Sequence, residues 1–333
     1  MTLMNKILVM GSGSWGTALV KILLEDPLMH VDWWVRSADM AVAINTNGCN
    51  PKYLRSVKFD LKRLHVSTHA EELIDQNDHI LLVTPSAFVF DLLDPIDAAK
   101  FKDKTVISAI KGVIPHTKQI IADYLINVKG VKTKNFLVIT GPCHAEEVAQ
   151  EKLSYLTVAS KSRKQREKIA EALSCSFIRV TQTDDIYGTE ITAVLKNVYA
   201  IAAGMCHSLG YGDNFQAVLM SNAIREIKKF IKAYYPIKRD TNKSAYLGDL
   251  LVTGYSQYSR NRTLGAMLGK GYSTKSALME MQMIAEGYYA TDSIHQLNEE
   301  LGVSMPILDF VYGVIYENKN VKEEASKLTT LLN

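Results

Sequence analysis

A glycine-rich segment follows an apolar run at the start of the chain. The run is Ile7–Met10, the segment is Gly11-Ser-Gly-Ser-Trp-Gly16, and a helix-like stretch begins at Trp15. In this setting the glycines permit a tight turn, close approach of the backbone to a pyrophosphate, and close helix–strand packing. The free N–H groups of a helix N-terminus attract an anion. The segment predicts a dinucleotide site, with a purely structural turn as the alternative, formed by Gly11, Ser12, Gly13, Ser14, Trp15 and Gly16.

The end of the second predicted strand indicates which dinucleotide binds. NAD-preferring sites place an acid there, about 20 residues past the glycines, to hold the ribose 2′-hydroxyl. Here Val35 is followed by Arg36, whose guanidinium can pair with a 2′-phosphate and stack on adenine. Asp39 comes three residues later and is expected to open a helix. We predict NADPH as the cofactor, with NADH as a second acceptable one; an ordinary surface arginine is the alternative.

Two lysines and an aspartate have the chemistry that reduction of a ketone requires. Hydride transfer to a ketone needs a group that polarises the carbonyl and gives a proton to the developing alkoxide. Lys196 lies in a long apolar stretch, where burial lowers the pKa of a lysine. Lys111 follows an apolar run, at the strand edge where open α/β sheets bind ligands, and Asp249 can pair with a buried lysine. The alternatives are a Lys196 that extends to water and an Asp249 that serves only in a turn.

Another cluster, Ser259-Arg260-Asn261, has the donors that a phosphate dianion requires. It provides a hydroxyl, a planar guanidinium fork and an amide, and arginine suits paired hydrogen bonds to phosphate oxygens. The cluster favours a phosphorylated small-molecule substrate.

The elements that must position these residues change in character near residue 183. Before it, short apolar runs alternate with helix-like stretches, as in a doubly wound, mostly parallel sheet covered on both faces. After it, we predict helices and no strand. The predicted fold is an α/β Rossmann-type domain over 1–186 and an all-α domain over 187–333. The predicted strands are 7–10, 31–35, 79–83, 105–108, 135–139 and 156–159, and the predicted helices are 15–24, 117–127, 163–173, 184–207, 213–234, 274–283 and 288–300.

Composition excludes several classes of protein. The 333 residues include 38 Lys and Arg against 35 Asp and Glu, a net charge of +3, so the whole chain gives no case for a nucleic-acid partner. No apolar run is long enough for stable membrane insertion, and no signal peptide is evident. The one basic run, between Arg225 and Lys243, is expected to be a solvated face. Four scattered cysteines predict free thiols, a cytoplasmic location and no metal site.

Several short segments occur in an order that is specific as a set. They are Gly11-Ser-Gly-Ser-Trp-Gly-Thr-Ala18, Ser108-Ala-Ile-Lys-Gly112, Gly141-Pro-Cys-His-Ala-Glu146, Leu195-Lys-Asn-Val198, and Gly248-Asp-Leu followed by Ser259-Arg-Asn-Arg262. Together they resemble the NAD(P)-dependent sn-glycerol-3-phosphate dehydrogenases over nearly the whole chain. The resemblance implies a homodimer that reversibly reduces dihydroxyacetone phosphate at C2 and supplies glycerol phosphate for phospholipid synthesis.

The same resemblance implies roles for individual residues. Lys196 would be the general acid/base, Lys111 would assist at the substrate, and Asp249 would orient Lys196. Cys143 stands where the family usually has Ser or Thr, and a thiol is a weaker hydrogen-bond donor. The implied substrate residues are Lys111, Gly141, Cys143, Lys196, Asp249, Thr253, Ser259, Arg260 and Asn261. The implied cofactor residues are those of the glycine segment with Arg36, Lys111, Ala145, Arg260, Ile284 and Glu286, the last having a helix-capping carboxylate as its alternative.

Two other functions stay open at this point. One is a dehydrogenase of the same two-domain plan that acts on a hydroxy acid or a hydroxyacyl thioester. Such enzymes often use a catalytic histidine, and neither His144 nor His207 lies in a matching motif. The other is a dinucleotide-binding sensor without turnover, which predicts loss of at least one of Lys111, Lys196 and Asp249.

Overall fold

The computed structural model describes residues 4–281 and 284–333, and it divides the chain into two compact units. The first unit is Met1–Ile110 with Ile121–Ile186, and the second is Lys111–Ile120 with Tyr187–Asn333. The predicted domains, 1–186 and 187–333, differ from this division in one segment. Residues 111–120 belong to the helical unit because they form a small hairpin whose first strand contacts a helix of that unit.

The first unit is built on one eight-stranded sheet, in the order β10-β9-β8-β5-β4-β1-β2-β3. Neighbouring strands are parallel except β8 and β9, which are antiparallel. The sheet is therefore mostly parallel and doubly wound, as predicted. The strands are β1 (Lys6–Met10), β2 (His30–Trp34), β3 (Leu64–Ser67), β4 (His79–Leu82), β5 (Thr105–Ser108), β8 (Phe136–Thr140), β9 (Ser154–Ala159) and β10 (Ile178–Thr183), and the separate hairpin is β6 (Val113–Ile114) with β7 (Gln119–Ile120).

Helices cover this sheet and make up most of the second unit. Those of the first unit are α1 (Ser14–Leu24), α2 (Ala38–Asn47), α3 (Ala70–Asp75), α4 (Val89–Leu93), α5 (Ile121–Asp123), α6 (Ala145–Ala149) and α7 (Arg163–Leu173). Those that follow are α8 (Ile186–Ser208), α9 (Asp213–Tyr234), α10 (Asp249–Tyr255), α11 (Arg260–Gly269), α12 (Thr274–Glu280), α13 (Glu286–Leu301), α14 (Pro306–Ile315) and α15 (Val321–Leu331). No described helix is long and apolar enough to cross a membrane. The four cysteines are free thiols.

One predicted helix was wrong and two strands of the main sheet were not predicted, each for a physical reason. The predicted helix over 117–127 is instead β7, the short α5 and a π-helical turn over Tyr124–Val128. Gln119 pairs with Ile114 in the hairpin, so the backbone at the start of this range forms strand hydrogen bonds and not helical ones. The strands β3 and β10 were not predicted because they are the two edges of the sheet, only partly buried, and lack unbroken apolar runs. The predicted helix over 274–283 is observed as α12, while residues 282–283 lie outside the described residues.

Helix α8 is the centre of the helical unit. Residues 189–206 are buried throughout, which explains why its apolar residues do not follow a single face. Helix α11 approaches it through glycines on both helices. A Cβ at Gly204 would lie 2.1 Å from the carbonyl oxygen of Arg262, and a Cβ at Gly265 would lie 2.0 Å from that of Ile201. Only glycine permits backbones this close, so the contact fixes α11 against the turn of α8 that follows Lys196.

We expect Gly265→Ala to lower the free energy of unfolding by about 2–3 kcal/mol, because backbone must move to admit the methyl group. Gly212→Ala is the matched control: a Cβ there meets no atom within 4 Å, and φ is −78°. The free energy of unfolding should fall by only about 0.5–1 kcal/mol, because alanine is a poorer helix N-cap than glycine. Urea unfolding of both variants gives the comparison, and equal losses would show that the glycine contact does not hold the helices together.

Candidate functional site

The glycine turn lies directly after β1, at the point where the strand order of the sheet reverses. Open α/β sheets bind ligands at such switch points, beyond the carboxyl ends of the strands. Gly11 has φ of +130°, and a Cβ there would lie 2.8 Å from the backbone nitrogen of Thr84. A Cβ at Gly16 would lie 2.2 Å from the carbonyl oxygen of Gly11. Both positions therefore require glycine for the turn itself.

Gly13 differs from these two, because a Cβ there would meet no protein atom within 4 Å. It is the N-cap of α1 and offers no side chain to the first N–H groups of the helix. Two side chains stabilise the turn through its carbonyl groups. Trp33 Nε1 donates to the carbonyl oxygen of Gly11 at 2.9 Å, and Asn50 Nδ2 donates to that of Ser12 at 3.0 Å. An open space above a rigid, uncapped helix N-terminus fits a pyrophosphate.

Arg36 follows β2 and is exposed. Its guanidinium lies 5.2 Å from the ring centre of Phe88, which stands just before α4. Ser37 caps α2, and Asp39 lies in the first turn of that helix, as predicted. The guanidinium is thus supported on one side by an aromatic ring and has donors left for a ligand.

Three further predicted residues of this unit follow β8. Gly141 has φ of +120°, and a Cβ there would lie 2.7 Å from the carbonyl oxygen of Tyr155. Cys143 is buried, and Ala145 is the first residue of α6, which packs against α1. The structure therefore places Ala145 in a helix that packs on the one that follows the glycine turn.

The helical unit contains a buried ion pair. Lys196, on α8, bonds with the carboxylate of Asp249, the first residue of α10. The side chains are 5% and 1% exposed, so neither charge is hydrated. Removal of either partner from such a pair leaves an uncompensated buried charge. The pair therefore fixes the first turn of α10 against α8.

Burial has a second effect on this lysine. Desolvation lowers the pKa of Lys196 to about 7, and the nearby Lys111 cation acts in the same direction, while Asp249 opposes both. At neutral pH Lys196 can therefore both give and accept a proton, which is the property of a general acid/base.

The backbone of Lys111 is hydrogen-bonded to the side chain of Asn197, the residue after Lys196, which was not predicted as a site residue. Asn197 Nδ2 donates to the carbonyl oxygen of Lys111 at 2.8 Å, and its Oδ1 accepts from Asn261 Nδ2 at 2.9 Å. Asn261 Oδ1 in turn accepts from the backbone N–H of Gly287 at 2.9 Å. A buried asparagine beside Lys196 in an apolar helix was the available signal, because its amide must find partners there.

The remaining predicted residues of the helical unit lie on α10, on α11, and at or just before the start of α13. Thr253, one turn after Asp249, donates its hydroxyl to the Asp249 carbonyl oxygen at 2.7 Å. Ser259 is the N-cap of α11 and accepts from the backbone N–H of Arg262. Arg260 is exposed and donates to the carbonyl oxygen of Ile284 at 3.3 Å. Glu286 is the first residue of α13. Thr253 and Ser259 thus make local backbone contacts, and Arg260 connects the start of α11 with the segment just before α13.

No group of three or more His, Cys, Asp or Glu side chains within residues 4–281 and 284–333 has the arrangement of a metal site. The polar groups described in the helical unit include those of Lys111, Lys196, Asp249 and the two amides, and the glycine turn and Arg36 of the first unit have an arrangement that suits a dinucleotide.

Comparison with known proteins gives a consistent result in both halves of the chain. Residues 6–166 match the family described as NAD-dependent glycerol-3-phosphate dehydrogenase N-terminus, and residues 185–326 match its C-terminus. A relative from Exiguobacterium, named glycerol-3-phosphate dehydrogenase [NAD(P)+], is 33% identical over 331 residues, covering 98% of this chain and 95% of the relative. One of the same name from Bacillus cereus is 34% identical with the same coverage.

Solved structures agree with the sequence comparison. A glycerol-3-phosphate dehydrogenase from Coxiella burnetii has a TM-score of 0.91 and 26% identity, covering 98% of this chain and 99% of its own. A D-mandelate dehydrogenase in complex with NADH has a TM-score of 0.59 and 16% identity, covering 96% of this chain and 99% of its own, and shares the fold alone.

Proposed function

The chain belongs to the NAD-dependent glycerol-3-phosphate dehydrogenase family, and on that premise we propose that it reduces dihydroxyacetone phosphate to sn-glycerol 3-phosphate, reversibly, for phospholipid synthesis. The observation that carries the proposal is the buried Lys196–Asp249 pair beside Lys111, within a chain that has a dinucleotide-binding turn after β1. A nicotinamide dinucleotide held by the glycine turn would supply the hydride for C2 of the ketone.

The residues of this chain supply binding and the proton. Lys196, oriented by Asp249, gives its proton to the oxygen at C2 during reduction and takes it back in the reverse direction. The cation of Lys111 stabilises negative charge that develops on that oxygen. Arg260 and Asn261 face the phosphate of the substrate, where a guanidinium forms charge-assisted hydrogen bonds. We place Gly141, Cys143, Thr253 and Ser259 along the substrate, as the family resemblance implies.

The cofactor would be held by the glycine turn, with the pyrophosphate over Gly13 and the N-terminus of α1. Arg36 would contact the 2′-phosphate of NADPH, and Ala145, Ile284 and Glu286 would complete the site. Assembly as a homodimer and a cytoplasmic location follow from the same resemblance.

A steady-state assay with competing ketones tests the proposed reaction. Purified protein is expected to oxidise NADPH with dihydroxyacetone phosphate and not with pyruvate or acetoacetyl-CoA. Turnover with only one of the other two would assign the chain to a different dehydrogenase. Binding of NADPH without turnover of any of the three would favour a sensor.

The role of Lys196 predicts opposite pH dependence in the two directions. Reduction needs the ammonium, so kcat/KM for dihydroxyacetone phosphate should fall as pH rises through about 7. Oxidation of glycerol 3-phosphate needs the neutral amine, so its kcat/KM should rise over the same range. Lys196→Met should lower kcat by about 10²–10⁴-fold in both directions. Lys232→Met, at an exposed lysine of α9, should leave both profiles unchanged, and a Lys196→Met variant with wild-type profiles would remove Lys196 from the mechanism.

The role of Arg36 predicts a change in cofactor preference. Arg36→Ala should raise KM for NADPH by about 10–100-fold, the range expected for lost hydrogen bonds to a charged group, and leave KM for NADH within a factor of two or so. Arg179→Ala, an exposed arginine on the edge strand β10, is the control and should alter neither. Equal losses for both cofactors would show that Arg36 does not recognise the 2′-phosphate.

A further inference from the structure

Four groups of the helical unit form one chain of hydrogen bonds: the N–H of Gly287, the side chains of Asn261 and Asn197, and the carbonyl of Lys111. We call this chain the amide relay. It connects the first turn of α13, α11, the Lys196 turn of α8, and the start of the segment that leads to β6. Both asparagine side chains are buried.

The ends of the amide relay determine how both side chains are oriented. A backbone N–H can only donate and a backbone carbonyl can only accept. Asn261 must therefore present its oxygen to Gly287 and its nitrogen to Asn197. Asn197 must then present its oxygen to Asn261 and its nitrogen to Lys111. Rotation of either amide by 180° would place like groups against each other, so the relay has a single arrangement.

Two other contacts show that the relay is built into the packing. The N-cap of α13 is Ala285, which offers no side-chain hydrogen bond, so Asn261 satisfies a helix N–H that the local sequence does not. A Cβ at Gly287 would lie 2.6 Å from the carbonyl oxygen of Asn197 and 2.8 Å from Ile201 Cδ1. The start of α13 is thus pressed against the turn of α8 that carries Lys196.

We propose that Asn197 and Asn261 are positioning residues that hold the backbone of Lys111 beside Lys196, so that the two cations keep a fixed separation during proton transfer. The proposal rests on the proposed function for its substrate and deepens it. In Asn261 the amide oxygen and one N–H are already engaged within the protein. Its main action is therefore on Lys111 and Lys196, through Asn197, whereas a contact with the substrate phosphate would use only its second N–H.

Loss of the hydrogen bond from Asn197 to the Lys111 carbonyl should change the pKa of Lys196 in one direction. The charged groups that act on Lys196 are Asp249, on α10, and Lys111, and repulsion from Lys111 favours the neutral amine. When Asn197 no longer holds the Lys111 carbonyl, that repulsion drives the two cations apart. The pKa of Lys196 then rises, and the descending limb of the reduction profile moves to higher pH.

Asn197→Ala, Asn261→Ala and the double variant test the amide relay in the full-length protein. Each single variant is expected to lower kcat by about 10²-fold, the effect of a misplaced catalytic group, and to move the midpoint of kcat/KM against pH upward. The kcat of the double variant should be no lower than that of the slower single variant, because both asparagines belong to one chain of contacts. A rise in KM for dihydroxyacetone phosphate with an unchanged pH midpoint, and losses that add, would overturn the proposal and leave Asn261 as a phosphate contact alone.

Asn222→Ala is the matched control. Asn222 is also a buried asparagine of the helical unit, and its amide donates to the carbonyl oxygen of Val218. The Asn222→Ala variant should lower the melting temperature about as much as the relay variants do, without moving the midpoint of kcat/KM against pH. A shifted midpoint in this control would show that a general loss of stability, and not the loss of the relay, changes the pH dependence of kcat/KM. Asn197→Ser and Asn261→Ser, which are also too short to bridge, carry the same expectations if an alanine variant does not melt cooperatively.

A second readout does not depend on the reaction. The protein is labelled with [ε-¹³C]lysine, and the Lys196 resonance is assigned by its absence in Lys196→Met and titrated by NMR. The midpoint should rise in Asn197→Ala and Asn261→Ala and not in Asn222→Ala. This outcome would support the relay even if dihydroxyacetone phosphate proved not to be the substrate, and equal midpoints in all variants would refute it even if that substrate were turned over.

Discussion

The helical unit depends on one constraint: a lysine and an aspartate are kept out of water together. Their mutual attraction offsets the cost of dehydration only if the two groups meet in good geometry. Lys196 comes from the middle of a buried helix and Asp249 from the first turn of another, so α8 and α10 must be placed with little freedom. The same dehydration lowers the pKa of the lysine to about 7. Dehydration of the pair therefore both costs free energy of folding and gives Lys196 a pKa suited to proton transfer.

Glycine sets how closely two other helices, α11 and α13, approach α8. Gly204 and Gly265 let α8 and α11 approach until their backbones touch, and Gly287 does the same for α13. Larger residues would separate the helices, and water would then reach the polar groups between them. In the first unit, Gly11 and Gly16 serve a tight turn against β1 and Thr84. Glycine thus closes helix contacts in one unit and permits a tight strand-to-helix turn in the other.

The central strands and α8 could be predicted because burial on all sides leaves a simple signal, a long apolar run. The edge strand β10 has polar residues at alternate positions and gives no such run. Lys196 and Asp249 could be proposed as partners from their types, since a buried lysine needs an acid. Asn197 was not selected: its place in an apolar helix indicated that its amide needs partners, but those partners, Lys111 and Asn261, are distant in sequence. Ser259 was predicted from its hydroxyl, but that oxygen caps α11.

The two kinds of polar contact around Lys196 serve different ends. A carboxylate attracts an ammonium strongly and fixes α10 against α8, but it does not set the distance between Lys196 and Lys111. An amide is neutral and weaker, yet it distinguishes donor from acceptor, and backbone groups at both ends of the relay leave it only one arrangement. Asp249 therefore supplies the electrostatic balance of Lys196, while Asn197 and Asn261 supply its geometry relative to Lys111. A site that moves a proton at neutral pH needs both, since the pKa of the lysine varies with its distance from each neighbouring charge.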